Sequence, residues 1–282
     1  MSHIHDDTIC LLGEGPLWHP ERNQLFWFDI LGRTLHTNGH HWRFDHFVSA
    51  AGWIDYDTLL IASSDALLRF DISSGSHEFI CDLEADNPVT RSNDGRADPF
   101  GGFWIGTMGI RAEAGAGAIY RYYKGELRQL FNAVSIPNAI CFAPDGLTAY
   151  FTDTTTQQIM RQPLDPRHGW PQGPAGVAID LTGTEYHPDG AVVDTQGNIW
   201  NAQWGAGRVA CYAPDGTFLQ AIAFDAVQTT CPAFGGAMLQ TLYCTSAAGG
   251  LSQPHLAAHP DSGRTLSART EATGQREHRV VL

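Results

Sequence analysis

The chain has 282 residues, with 17 Lys and Arg against 30 Asp and Glu, for a net charge of −13. That charge repels nucleic-acid phosphates and anionic headgroups, and no apolar run approaches the roughly 18 residues of a membrane span, so nucleic-acid and membrane roles are excluded. A composition of 43% hydrophobic and 17% charged residues, with Gly 30 and Pro 15, describes a turn-rich chain with enough apolar surface for a large core.

In chain order, the opening MSHIHDDTIC lacks the basic and apolar regions of a signal peptide, which sets the expectation of a cytoplasmic protein. From there the sequence falls into short runs of β-branched and aromatic residues divided by turn signals, the pattern of an all-β fold. One unit recurs: an apolar strand, a Pro/Asp/Gly turn, then a strand ending in an aromatic and a small polar stretch. It is visible at GPLWHPERNQLFWFDI (15–30), in shorter form at GWIDYDTLLIASS (52–64), at RADPFGGFWIGTM (96–108), AICFAPDGLTAYFTDT (139–154), AVVDTQGNIWNAQW (191–204) and PAFGGAMLQTLYCTSA (232–247). Taking Trp27, Leu60, Trp104, Tyr150, Trp200 and Tyr243 as equivalent gives spacings of 33, 44, 46, 50 and 43 residues. A period of about 40 to 50 residues predicts one four-stranded blade per unit, and hence a six-bladed β-propeller forming a single domain over 1–282. The polar stretch from Ser252 onward reads as a loop before a last strand at HRVVL, with one terminal strand completing a blade begun at the other end.

Six cysteines (Cys10, Cys81, Cys141, Cys211, Cys231, Cys244) are widely spaced and form no CxxC. Buried free thiols are expected, with a disulfide or thiolate role as the alternative. There is also no GxSxG, HExxH, P-loop or GxGxxG opening a helix. His255 and His259 have the i, i+4 spacing of zinc ligands on a helix, but Pro254 and Pro260 bracket them in the polar tail, which favours surface or packing histidines.

Polar side chains next to Gly or Pro mark the blade starts: Glu14 in Leu-Gly-Glu-Gly-Pro, Asn93-Asp94-Gly95 after Arg91-Ser92, Asn138 after Ile136-Pro137, and Asp189-Gly190 after His187-Pro188. Each stands just before a predicted innermost strand, from which it would point into the central channel; an ordinary turn is the alternative for any one of them. Pro144-Asp145-Gly146 and Pro214-Asp215-Gly216, between strands, read as turns only. Two carboxylates and two amide oxygens converging in a channel would make an all-oxygen site suited to Ca²⁺, Mg²⁺ or Mn²⁺, with Zn²⁺ or Fe²⁺ also possible ligand partners.

At these residues the sequence resembles the regucalcin/senescence marker protein/gluconolactonase family of six-bladed propellers. The fragments LGEGPLWHP, RSNDGRADPFGGFWIGTM, IPNAICFAPDG, HPDGAVVD, NIWNAQW and TTCPAFGG follow the family's order along nearly the whole chain. The resemblance implies that Glu14, Asn138 and Asp189 ligate one divalent metal, that Asn93 sits beside it, and that Arg91 holds the substrate. Where some members carry a substrate-contacting acid shortly after GTM, this chain reads Met108 to Glu113. Glu113 would fill that role through a shifted loop, or Arg111 would alter specificity; the Gly/Ala-rich segment 114–118 is otherwise a plain solvent loop. Trp18, Trp204 and Cys231 are candidates for the pocket mouth, with inter-blade packing as their alternative.

The function so implied is metal-assisted hydrolysis of an aldonolactone to the sugar acid, with Asp189 as general base and the enzyme a monomer or small homo-oligomer. A metal-dependent organophosphate or ester hydrolase and a non-enzymatic calcium-binding propeller are the alternatives.

Overall fold

The computed structural model describes residues 2–282. Six four-stranded antiparallel sheets form the ring of a β-propeller, as the repeat predicts. Blades 1 to 5 span residues 13–43, 48–82, 90–134, 137–180 and 187–223, each with its first strand innermost and its fourth outermost. The sixth is built from Gln228–Gly235, Thr241–Ala247 and Thr265–Arg269, and its outermost strand is the N-terminal Ser2–Asp6, paired antiparallel with Thr265–Arg269. All six repeat anchors lie on second strands.

Alternation along the strands sends successive side chains to opposite faces, so each blade is apolar on both. The buried residues accordingly divide into six clusters, one at each junction between neighbouring blades. Trp104 packs toward blade 4 with Ile140 and Phe142, while the flanking Phe103 and Ile105 pack toward blade 2 with Ala50 and Leu60. At the junction of blades 6 and 1, Trp18 stacks on Tyr243 with ring centroids 5.7 Å apart, and His5 of the terminal strand lies edge-on to Tyr243 at 4.7 Å.

Two expectations for the C-terminal region fail. The stretch after Ser252 is not all loop: it holds a short helix, Gln253–Ala258, and the third strand of blade 6 at Thr265–Arg269, whose alternation is too short to register as a pattern. HRVVL is no strand either. From Thr273 the chain crosses the end of the ring opposite the site described below. The Thr195 amide donates to Thr273 O (2.9 Å), and the Gln275 side chain bridges the carbonyls of Phe142 and Val193, both at 3.0 Å. Glu277 pairs with Arg96, its carbonyl accepts from Trp53 Nε1 (3.0 Å), and the Val280 amide donates to Trp53 O (2.9 Å). This strap thus ties blades 2 to 5 together, with Val280 fully buried among Gly52, Ala97 and Phe103.

All six cysteines are free, five buried and Cys81 partly so. Burial pushes the Cys10 and Cys211 thiols up to about 12, and that of Cys231 up as well, which leaves no thiolate at neutral pH. Among the described residues no helix is long and apolar enough to cross a membrane.

The strap's packing sets a first prediction. Val280→Ala removes two fully buried methyl groups from the junction of blades 2 and 3 and should destabilise the protein by about 1–3 kcal/mol. A fall in the urea midpoint is expected; an unchanged midpoint would mean that the strap does not pack there in solution.

Candidate active site

Near its start each innermost strand slips register against the second strand. Residues 15–16, 49, 93–94, 139–140, 189–190 and 230–231 stand between the paired positions of the six blades. Such β-bulges interrupt alternation and re-aim side chains. Glu14, Asn93, Asn138 and Asp189 therefore lie within innermost strands, not in turns before them, because a bulge with Gly or Pro beside it reads in sequence as a turn. Gly15 takes φ +52 with the Ser49 carbonyl against it, where a Cβ has no room. Ala139 follows Asn138 as Gly15 follows Glu14 and takes a similar φ of +56, a left-handed conformation that costs a non-glycine residue about 1–2 kcal/mol.

Side chains at and beside these bulges meet at one cavity of about 210 Å³. Glu14, Arg91, Asn93, Asn138, Thr154 and Asp189 supply its polar lining, and Leu12, Met108, Ile136 and Trp204 its apolar walls. The volume lies below the roughly 300–1,000 Å³ of most small-molecule sites, which suits a ligand no larger than a single sugar ring. Two aspartates at the ends of second strands hold the wall segments in place. Asp29 accepts from the amides of Leu11 and Leu12, both at 3.0 Å; Asp153 accepts from Ser135 (2.7 Å) and Ile136 (3.2 Å).

Arg91 Nη1 donates to Asn93 Oδ1 and to Ser92 O, both at 2.8 Å. Asn93 Nδ2 donates to Pro137 O (3.0 Å) and Asn138 Oδ1 (3.1 Å), and Asn138 Nδ2 to Thr154 Oγ1 (2.9 Å). Burial pulls the Arg91 pKa down to about 10, while Glu14 and Asp189 favour its charge, so it is a cation at neutral pH. The carboxyls move the other way. Burial, then Asp94, pushes Glu14 up to about 8, and burial, then Glu14 and Asp94, raises Asp189 well above the usual carboxylate range. Asp94, also lifted by burial to about 6, accepts from the Ile140 amide at 2.8 Å.

Glu14 and Asp189 form no ion pair among the described residues, and the one hydrogen bond to the Glu14 carboxylate comes from the Gly15 amide at 3.1 Å. Buried carboxylates with so few protein partners call for a cation, since buried charges are otherwise paired or neutralised. Among the described residues no three His, Cys, Asp or Glu side chains gather as a metal cluster. Here two carboxylates are joined by the Asn138 amide oxygen, a set of hard oxygen donors that fits a divalent cation with positions left for water or substrate.

The structure thus brings Glu14, Arg91, Asn93, Asn138 and Asp189 to one cavity. Glu113 is not among the lining residues: its carboxylate accepts from the Arg111 amide (3.0 Å) and folds over Gly109. Trp204 lines the cavity, whereas Trp18 is packing at the junction of blades 6 and 1 and Cys231 lies buried against Gly190. His255, exposed on the short helix, is bonded to Ser252, and His259, half-buried at the helix end, to Asp225. Asp145 and Asp215 hold turns, accepting from the amides of Leu147 and Thr217. Leu12, Met108, Ile136 and Thr154 were not anticipated; the signal for Thr154 was the repeat of Asp at the second-strand end, FWFD and YFTD.

Residues 12–248 match the family model described as the SMP-30/Gluconolactonase/LRE-like region. A protein of Rhizobium meliloti (strain 1021), provisionally named a sugar lactone lactonase, is 43% identical over 274 residues, covering 94% of this chain and 92% of its own. The L-arabinolactonase of Azospirillum brasilense is 35% identical over 280 residues, covering 95% and 91%. A crystal structure of regucalcin from Agrobacterium tumefaciens, described as a calcium-binding protein, matches with a TM-score of 0.98 at 43% identity, over 100% of this chain and 98% of its own.

The raised carboxyl pKa values predict a pH signature. In protein stripped with a chelator, Glu14 binds a proton in the folded state between its ordinary 4.5 and about 8, where the unfolded chain has released it. Folding then takes up protons, so stability should fall as pH rises through that window. Thermal unfolding of stripped protein from pH 4.5 to 8 should show the decline, and saturating divalent cation should flatten it. A stripped protein that gains stability over this range would contradict the placement of these carboxyls.

Proposed function

Since this chain belongs to the SMP-30/gluconolactonase/LRE-like family, we propose that it is a divalent-metal-dependent lactonase that opens a sugar lactone to its aldonic acid. The observation that carries the reading is the pair of buried, nearly partnerless carboxylates, Glu14 and Asp189, aimed with the Asn138 amide into one sugar-sized cavity. The lactonases among the relatives support a lactone as substrate.

In this reading Glu14, Asn138 and Asp189 hold the cation. When bound it polarises the lactone carbonyl and favours the ionised forms of the carboxylates around it. Asp189 takes a proton from the attacking water as the water oxygen bonds to the carbonyl carbon. It returns that proton to the ring oxygen as the acyl C–O bond breaks, so one water is consumed and the product is the open-chain hydroxy acid. Arg91, with Nη1 committed to Asn93 and Ser92, has its remaining N–H groups for the sugar hydroxyls. The apolar walls pack on the ring faces and limit bulk water around the reacting carbonyl. Glu113 would join the sugar contacts only if the loop after Met108 turned inward.

We read the protein as cytoplasmic, a location that six free thiols support, and the ring as one domain over 1–282 because its terminal strand completes the last blade. A calcium-binding role without turnover is the second reading, favoured by the description of the Agrobacterium tumefaciens relative. It would use the same three ligands.

Turnover separates the two. Stripped protein reconstituted with Ca²⁺, Mg²⁺, Mn²⁺, Zn²⁺ or Fe²⁺ and assayed by acid release on pentono- and hexonolactones, with spontaneous hydrolysis subtracted, should show metal-dependent activity. Asp189→Asn should lower kcat/KM by about 10²–10⁴-fold. Full metal-dependent turnover by this variant would sink the assignment of the base, and no turnover with any metal would favour the binding role.

A further inference from the structure

We propose that Thr154 is a positioning residue that fixes the Asn138 side-chain amide with its oxygen toward the cation site. The inference rests on the reading of Asn138 as a ligand and deepens it.

The argument turns on which groups can donate. Thr154 Oγ1 lies 2.7 Å from the Pro188 carbonyl oxygen and 2.9 Å from Asn138 Nδ2. A carbonyl only accepts, so the single hydroxyl proton of Thr154 goes to Pro188 O. The hydroxyl then faces Asn138 with lone pairs alone. It can be satisfied only by a donor, and this selects the NH₂ end of the amide. The oxygen end must point the other way, where Asn93 Nδ2 donates to it at 3.1 Å and one lone pair remains for a cation. Asn93 is set by the same logic, because its Nδ2 also meets the acceptor-only Pro137 O at 3.0 Å, which turns its own oxygen to Arg91. One run of hydrogen bonds, every member donating in the same sense, leads from Arg91 on blade 3 through Asn138 on blade 4 to the residue before Asp189 on blade 5.

Thr154 itself has little freedom. It opens a 3₁₀ turn, Thr154–Thr156, and its amide donates to Ile136 O at 2.9 Å. The preceding Asp153 takes both the Thr155 amide and two amides of the Ser135–Ile136 segment, so the turn is anchored to the strand that carries Asn138. An asparagine needs such a partner in a way that a carboxylate ligand does not. Rotation of the amide by 180° would replace the donor oxygen with an NH₂ that a cation repels, whereas Glu14 and Asp189 present oxygen in either orientation.

The test is Mn²⁺ binding to chelator-stripped full-length protein by titration calorimetry, which reads affinity without turnover. Thr154→Val, nearly isosteric but without the hydroxyl, should weaken Mn²⁺ binding by about 10–100-fold, and Thr154→Ser should bind close to wild type. The decisive comparison uses Asn138→Asp, which has no amide to orient. In that background Thr154→Val should no longer weaken Mn²⁺ binding. Equal losses in both backgrounds would assign Thr154 a merely structural role and overturn the proposal, as would wild-type affinity in Thr154→Val alone. A wild-type protein that binds no Mn²⁺ would overturn the cation site and this inference with it, an outcome visible before any variant is made.

Discussion

A sheet that is apolar on both faces cannot stand in water by itself, and that constraint underlies everything else in this protein. Each of the six apolar clusters is shared by two neighbouring blades, so no blade is satisfied until the ring is shut. Closure is achieved by lending the N-terminal strand to the last blade and reinforced at one end by the C-terminal strap. The rigidity that results is what permits a costly centre. Three carboxyl groups, Glu14, Asp94 and Asp189, are held near one another and away from water only because their strands are gripped on both sides.

The bulges connect the ring to its chemistry. A regular strand would alternate its residues between the two neighbouring blades and give the axis little besides backbone. A slip of register near the start of every innermost strand turns one or two side chains inward instead. At the slip or just before it, the inward side chains are Glu14 on blade 1, Asn93 on blade 3, Asn138 on blade 4 and Asp189 on blade 5. On blades 2 and 6 they are Ser49, which bonds Ser92 at 2.8 Å, and Thr230, which bonds Thr245 at 2.8 Å. The chemistry is therefore uneven around a ring whose backbone is nearly even.

The fold was legible because packing writes itself along the sequence: the second-strand aromatics recur at nearly the blade length, and they are the residues that fill the junctions. The cavity was legible in part, through Glu14, Asn93, Asn138 and Asp189, each marked by a neighbouring Gly or Pro. In sequence they read as standing before the strand instead of within it, because a bulge and a tight turn use the same residues. Thr154 stayed hidden since its role depends on antiparallel pairing, which brings the end of a second strand beside the start of a first. The third strand of blade 6 and the strap escaped for a different reason. The strand is too short for a period, and the strap owes its order to contacts with several blades at once.

The strap also decides how molecules move through the protein. With one end of the ring crossed by Gln275, Glu277 and Val280, the cavity walled by Leu12, Met108, Ile136 and Trp204 is left to be entered from the opposite end. Whatever enters there must back out the same way before the next molecule can follow, so traffic is single file and a lingering occupant blocks its successor.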